Sequence, residues 1–394
     1  MRSGQSANGT SAACLGFRLW NPMPKRLVVS AVNLVEGGTL TVLRDCLNTA
    51  ARILAPEWEI IALVHDRRLL TTDRVRFIEL PDAKRSWLRR MCHEFWKFDA
   101  LSRDLKPDVW LSLHDISPRV KAPRQVVYCH NPSPFYRPRL REALWEPKFF
   151  LFTLFYRYLY RINIHANDLV VVQQDWIRDA FQRMYGVRQV VVAHPVTDQP
   201  PIGSEMAVSV RPGVFLYPAL PRVFKNFEVL CEAAQILYQR VGEGFEVRLT
   251  ITGKESRYAA YLTRRFGDTP AIRFIGRQNK GQMAEQYQEA SAVVFPSRLE
   301  TWGLPISEAK SWGKPLLVAD LPYAHETVGA YDRVSFFDPL IPEQLADLME
   351  AHLRGELHPP PHEQRAIAPP FAASWEDLLR LVVDERLDPV AHQS

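Results

Sequence analysis

Residues 295–317 read Phe295-Pro-Ser-Arg-Leu-Glu300-Thr-Trp-Gly303-Leu-Pro-Ile-Ser-Glu308-Ala-Lys-Ser-Trp-Gly313-Lys-Pro-Leu-Leu317. The apolar run over 291–295 predicts a short buried strand, and a loop holding Glu300 and Gly303 follows it. Pro305 suits the first turn of a helix, because its φ is already fixed and its missing N–H would have no partner there. Gly313 can end that helix in the left-handed conformation. Two glutamates, Glu300 and Glu308, thus flank a helix start. Free N–H groups and the helix dipole attract a phosphate there, and carboxylates bind hydroxyls. The pattern points to a ligand that is both anion and polyol, such as a nucleotide-sugar. The same residues also make an ordinary loop and a surface helix with two solvated glutamates. The stretch alone does not separate these readings.

Upstream, apolar runs and helical spacings alternate. Strands are predicted over 214–217, 247–252 and 272–275, the last two ending in Gly253 and Gly276, with helices ending near 240 and over 258–266 and 280–290. Downstream come a strand over 316–319 and helices over 342–353 and 375–383. Arg222 and Lys225 stand between the 214–217 strand and its helix. Two cations beside helix N–H groups make a diphosphate clamp, or else ordinary surface charge.

The first half repeats the alternation. Strands are predicted over 26–32, 58–64, 75–80, 109–113, 125–129, 169–173 and 189–193, with helices over 39–54, 85–105 and 176–185. Strand-to-helix crossovers imply a parallel, doubly wound sheet. Ligands of such sheets sit beyond the carboxyl ends of the strands. Gly37-Gly38 follows the first strand, either as a plain turn or as a place where backbone approaches a phosphate or sugar. The 109–113 strand ends in His114-Asp115. His130 stands at the end of the 125–129 strand in a Pro-restricted loop, as a functional or a loop-capping histidine. Residues 137–164 are aromatic and basic. They form a core helix with snorkelling arginines or a helix lying on a membrane surface.

The chain has 394 residues, enough for two domains, with 47% apolar and 24% charged residues as in ordinary globular proteins. Residues 1–196 carry 29 Lys and Arg against 18 Asp and Glu, and the remainder 20 against 26. A basic first half and an acidic second half argue for different partners. No nucleic-acid recognition motif accompanies the basic half. Five scattered cysteines without CxxC spacing speak for a reducing compartment and against structural zinc. No apolar run reaches the roughly 18–20 residues of a membrane span. Residues 1–24, rich in Gly, Ser, Ala and Asn, read as a disordered leader, with Met23 as an alternative start.

Taken together, the chain resembles the retaining glycosyltransferases of family 4, with the GT-B fold. The likeness spans residues 25 to 388. It is carried by Ser297-Arg-Leu-Glu-Thr-Trp-Gly-Leu-Pro-Ile-Ser-Glu-Ala309, Arg222 with Lys225-Asn226, Gly37-Gly38, His130-Asn-Pro132 and the tryptophan-led last helix. The resemblance implies two Rossmann-like domains with parallel doubly wound sheets facing across a cleft. These are an acceptor domain over 25–197, a linker over 198–212, a nucleotide-sugar domain over 213–370 and a last segment, 371–394, crossing back to the first domain. It implies that Glu308 holds ribose hydroxyls, Glu300 contacts the donor sugar, and Thr301, Trp302, Gly303 and Leu304 lie near sugar and phosphate. Arg222 and Lys225 take the diphosphate, Gly37 and Gly38 close on it, His130 bonds the sugar, and Gly253 and Gly276 line the donor. Two departures stand out. The family's arginine and lysine lie about five positions apart rather than three, and Thr301-Trp302 replaces Gly-Phe, which can shape sugar preference. The expected activity is sugar transfer to a glycan or lipid-linked acceptor. It needs no metal or other cofactor and occurs in the cytoplasm, where the basic, aromatic first half suits an anionic membrane face. A sugar-nucleotide epimerase and a non-catalytic donor-binding subunit are the alternatives.

Overall fold

The computed structural model describes residues 24–195, 210–359, 362 and 364–384. The expected leader lies outside these residues except for Pro24, as does most of the expected linker. The first half contains strands β1 (Lys25–Ser30), β2 (Trp58–Val64), β3 (Val75–Glu79), β4 (Val109–Ser112), β5 (Arg124–Cys129), β6 (Leu169–Val172) and β7 (Val190–Ala193). Between them lie helices α1 (Gly37–Ile53), α2 (Trp87–Cys92), α3 (Phe98–Leu105), α4 (Glu142–Trp145), α5 (Pro147–Arg161) and α6 (Asp175–Tyr185). The second half runs β8 (Val214–Tyr217), α7 (Phe227–Val241), β9 (Glu246–Leu249), α8 (Arg257–Phe266), β10 (Ile272–Phe274), α9 (Lys280–Glu289), β11 (Ala292–Phe295) and α10 (Leu304–Ser311). It continues with β12 (Leu316–Ala319), α11 (Pro322–Val328), β13 (Val334–Phe337) and α12 (Pro342–Arg354), and closes with β14 (Phe371–Ala372) and α13 (Trp375–Val383).

Two all-parallel sheets result. One has the order β14-β7-β6-β5-β4-β1-β2-β3, the other β10-β9-β8-β11-β12-β13. Each strand order reverses once, at β1/β4 and at β8/β11, as in doubly wound folds. The near-continuous apolar strands follow from helices on both faces. Leu27 and Val29 of β1 join α1 and α13 in one core, while Val28 joins Phe98 and Trp110 in another. The chain end returns to the first sheet. Phe371 and Ala372 pair with Val192 and Ala193. Ser374 caps α13 by accepting from Asp377 N at 3.1 Å, and Trp375 stacks on Tyr128 at 5.7 Å.

The helix expected over 85–105 is broken. A π-helical turn, His93–Lys97, separates α2 from α3. The extra residue in the wider turn brings Glu94 inside together with Phe98. Glu94 Oε1 lies 3.1 Å from His114 Nδ1, and His114 Nε2 lies 2.8 Å from Ser30 Oγ. All three residues are fully buried. Burial pushes the Glu94 carboxyl up to about 8 against the pull of Arg90. Burial, aided by the Arg90 charge, holds His114 well below its ordinary range. Glu94 is therefore held protonated beside a neutral His114. The folded chain holds a proton that the unfolded chain releases near its ordinary value of 4.5. Stability from this group is full below that value and falls as pH rises through about 8. His114 acts oppositely, losing stability as pH falls below its ordinary 6.5. Glu94→Gln is expected to flatten the alkaline decline of the thermal midpoint between pH 6 and 9, conditions bracketing the raised carboxyl. An unchanged decline contradicts this.

Candidate functional site

The loops leaving β1, β4 and β5 in one sheet, and β8 and β11 in the other, carry nearly all the residues singled out above. Those leaving β5, β8 and β11 line a cavity of about 770 Å³. Asn131, Pro132 and Ser133 line it from the first half, and Arg222, Lys225, Glu300 and Thr301 from the second. Glu300 also lines a second cavity of about 610 Å³ together with Trp176, Arg298 and Tyr323.

Lys225 ends a 3-10 turn, and Asn226 follows it with φ 56°. The buried Asn226 amide donates to Pro296 O at 3.2 Å and Pro339 O at 2.8 Å, tying the turn to the loops after β11 and β13. Tyr217 OH donates to Lys225 O at 2.6 Å. Lys225 Nζ then donates to the Glu300 carboxylate, with side-chain exposures of 16% and 13%. Phe295 and Phe224 flank the ammonium at 5.4 and 5.7 Å. Cation and acid are thus held as one pair on the cavity wall.

Arg222 is answered from the other half of the chain. Its Nε donates to Glu146 Oε1 at 2.6 Å, and Val223 N donates to Glu146 Oε2 at 2.8 Å. The guanidinium lies 5.1 Å from the Phe149 ring and 5.5 Å from Phe224. Arg298, just before Glu300, donates to Glu142. Glu142 also accepts from Tyr136 OH at 3.1 Å and Arg139 N at 3.1 Å. Glu142 and Glu146 are missed by reading the sequence for catalytic motifs. Their one signal is that they are the only acids in the basic stretch 137–164.

Glu308 accepts from Tyr287 OH at 2.6 Å, and Tyr287 stacks on Trp312 at 6.4 Å. Gly303 caps α10 with φ 86°, and a Cβ there would lie 3.3 Å from Ile306 and Phe295. Leu304 begins α10 half-exposed. A Cβ on Gly38 would sit 3.8 Å from Leu304 Cδ1, so the start of α1 meets the start of α10. That is where the two halves approach across the cleft, beside rather than inside the two cavities. His130 stands next to Asn131. Its N–H donates to Asp115 Oδ1 at 2.7 Å, Asn131 N to the same atom at 3.0 Å, and Tyr160 OH at 3.0 Å. Asp115, with φ 69°, is thus the anchor of the His130 loop. Its signal in the sequence is its place at the end of β4.

The pair Thr301-Trp302 divides. Thr301 lines the larger cavity. Trp302 is buried and lines neither. Its Nε1 donates to Ser307 Oγ at 3.0 Å, and its ring lies 4.6 Å from His194. The Trp302 carbonyl accepts from Thr327 Oγ1, which also accepts from Gln174 Nε2 at 2.8 Å. His194 Nε2 lies 2.8 Å from Glu326 Oε1, and Asp175 N donates to the same carboxylate at 2.9 Å. Trp302 therefore belongs to a polar seam joining the two halves. Gly253 and Gly276 have φ of 91° and 74° and line neither cavity. A Cβ at Gly253 would meet Thr263 Oγ1 at 2.5 Å, and one at Gly276 would meet Thr252 Cγ2 at 2.9 Å. Local packing thus gives each glycine a reason of its own. Among the described residues no group of three or more His, Cys, Asp or Glu is placed to hold a metal ion.

Residues 211–368 match the family model described as Glycosyl transferases group 1. A D-inositol 3-phosphate glycosyltransferase from Corynebacterium diphtheriae is 32% identical over 139 residues, 32% of each chain. The match thus spans about a third of that relative's length. Sucrose-phosphate synthase from Thermosynechococcus elongatus superposes with a TM-score of 0.62 at 14% identity, covering 84% of this chain and 90% of that one. HepE from Anabaena, in complex with UDP-glucose, superposes with a TM-score of 0.52 at 14% identity, over 84% and 90% of the two chains. These likenesses are of fold.

Proposed function

We propose that this chain, with a Glycosyl transferases group 1 domain over residues 211–368 and the GT-B fold, is a retaining glycosyltransferase. It moves a sugar from a nucleotide-sugar to an acceptor hydroxyl. One observation carries the reading: a single cavity gathers the Lys225–Glu300 pair, Arg222 and Thr301 with the Asn131–Ser133 loop of the other half. The nucleotide-sugar is a substrate, and the reaction takes place where the two halves meet.

In this reading the bond between the anomeric carbon and the diphosphate oxygen breaks. The acceptor oxygen attacks from the same face, and its proton passes to the departing diphosphate. Negative charge grows on that diphosphate, and Lys225 and Arg222 neutralise it in a partly dry cleft. The incoming diphosphate replaces Glu146 at Arg222. Two cations supply the charge a metal would otherwise bring, so transfer proceeds without one. Glu300 then orients the sugar hydroxyls, Glu308 the ribose, and His130, next to the Asn131 that lines the cavity, the sugar. The acceptor is a polysaccharide or a lipid-linked glycan, and the protein works in the cytoplasm at a membrane face. Among the described residues no helix is long and apolar enough to cross a membrane.

The test is turnover of UDP-, GDP- and ADP-sugars with and without an acceptor panel, starting from UDP-glucose. Nucleoside diphosphate release that depends on acceptor is expected, with the product keeping the donor's anomeric configuration by NMR. An inverted product overturns retention. An epimerised donor without acceptor overturns transfer.

A further inference from the structure

The apolar surface of α5 is used only in part by packing. Phe149, Thr153, Tyr156 and Tyr160 are buried against the protein, whereas Leu151, Leu154, Phe155, Tyr158 and Ile162 are exposed. The exposed set recurs at spacings of three and four, which aligns it along one side of the helix. Trp87 and Leu88 of α2 are exposed as well, and the Trp87 ring lies 6.2 Å from both Phe152 and Tyr156. The apolar strip therefore widens onto α2. Lys148, Arg157 and Arg161 are exposed along the same helix, and Pro147–Arg161 contains no acid.

We propose that the outer side of α5, with Trp87 and Leu88 beside it, docks this chain on an anionic lipid surface. The charge selects this occupant. Cations interleaved with leucine and aromatic rings suit diffuse headgroup charge above an acyl layer, where amphipathic rings settle at the boundary. A helix of 15 residues is about 22 Å long, so it lies in the interface rather than crossing it. Lys148, Phe149 and Phe152 of this helix also line the larger cavity. Docking therefore sets the mouth of that cavity at the headgroup plane. Delivery of a lipid-linked acceptor through it rests on the reading of the cleft given above; the docking itself does not.

The test is flotation of the full-length protein with phosphatidylcholine vesicles and with vesicles that also contain phosphatidylglycerol. Partition is expected to be at least about tenfold stronger with the anionic lipid, and to weaken with salt. The double variant Leu154→Glu/Phe155→Glu loses that partition at least about tenfold, as does Arg157→Glu/Arg161→Glu, with circular dichroism and thermal midpoint unchanged. Equal partition to both vesicles, or variants that bind like the parent, overturns the proposal. So does a Leu154→Glu/Phe155→Glu variant that only converts a dimer to a monomer, since a second copy then covers the strip. Nucleotide binding is read on the same samples. A parent chain that binds nucleotide but does not dock overturns the docking alone; a parent chain that docks but binds no nucleotide overturns the cleft reading alone.

Discussion

Lys225→Ala lowers sugar transfer by about 10²- to 10³-fold, mostly in kcat. The lysine is expected to meet charge that appears only as the diphosphate leaves, so its loss is felt in the transition state more than in donor binding. The geometry makes it hard to replace. Tyr217 and Asn226 fix the backbone of its turn, and two aromatic rings flank the ammonium. Removing it also leaves Glu300, only 13% exposed, without its cation. Steady-state kinetics with the donor found in the screen checks this. A variant with full kcat shows that Lys225 is only the structural partner of Glu300.

Arg298→Ala destabilises the fold by about 3–5 kcal/mol, the cost of stranding a buried carboxylate. Glu142 and Arg298 have side-chain exposures of 6% and 11%. Arg298 also donates to Val223 O at 3.3 Å, and its guanidinium lies 5.4 Å from the Tyr136 ring. The pair bridges the two halves of the chain, so its loss both lowers the thermal midpoint and exposes the α4 segment to protease. Arg298→Met combined with Glu142→Met recovers much of the loss, because no unpaired charge remains. A single variant with the parent's midpoint and protease resistance contradicts this.

The alternation of elements was legible because both sheets are parallel and buried on both faces, which writes each strand as an apolar run. The last helix shows this most clearly. Ser374, Trp375 and the spacing of Leu378, Leu379 and Val382 define it, and it spans Trp375–Val383 as expected. Three elements were not legible, among them β14, only two residues long. α11 is seven residues long, too short to show a helical period, and β13 is the four residues Val-Ser-Phe-Phe between polar neighbours. The break at His93–Lys97 was hidden too, since a π turn shifts the helical phase by one residue without a proline or glycine to mark it. For the site, the loop positions followed from strand ends, but the partners did not. That Glu146 answers Arg222 across 76 positions, and that Trp302 turns to His194 rather than the cavity, depends on how the halves meet. No local pattern records that.

The most direct measurement is equilibrium binding of UDP, GDP and ADP, and of the corresponding nucleotide-sugars, to the parent chain and to Glu308→Ala. One nucleotide is expected to bind, and Glu308→Ala to weaken it at least about tenfold, roughly the worth of one charge-assisted hydrogen bond. The free nucleotide and its sugar should weaken alike, because Glu308 holds the ribose and not the sugar. No binding across the panel, or binding that Glu308→Ala leaves untouched, contradicts it.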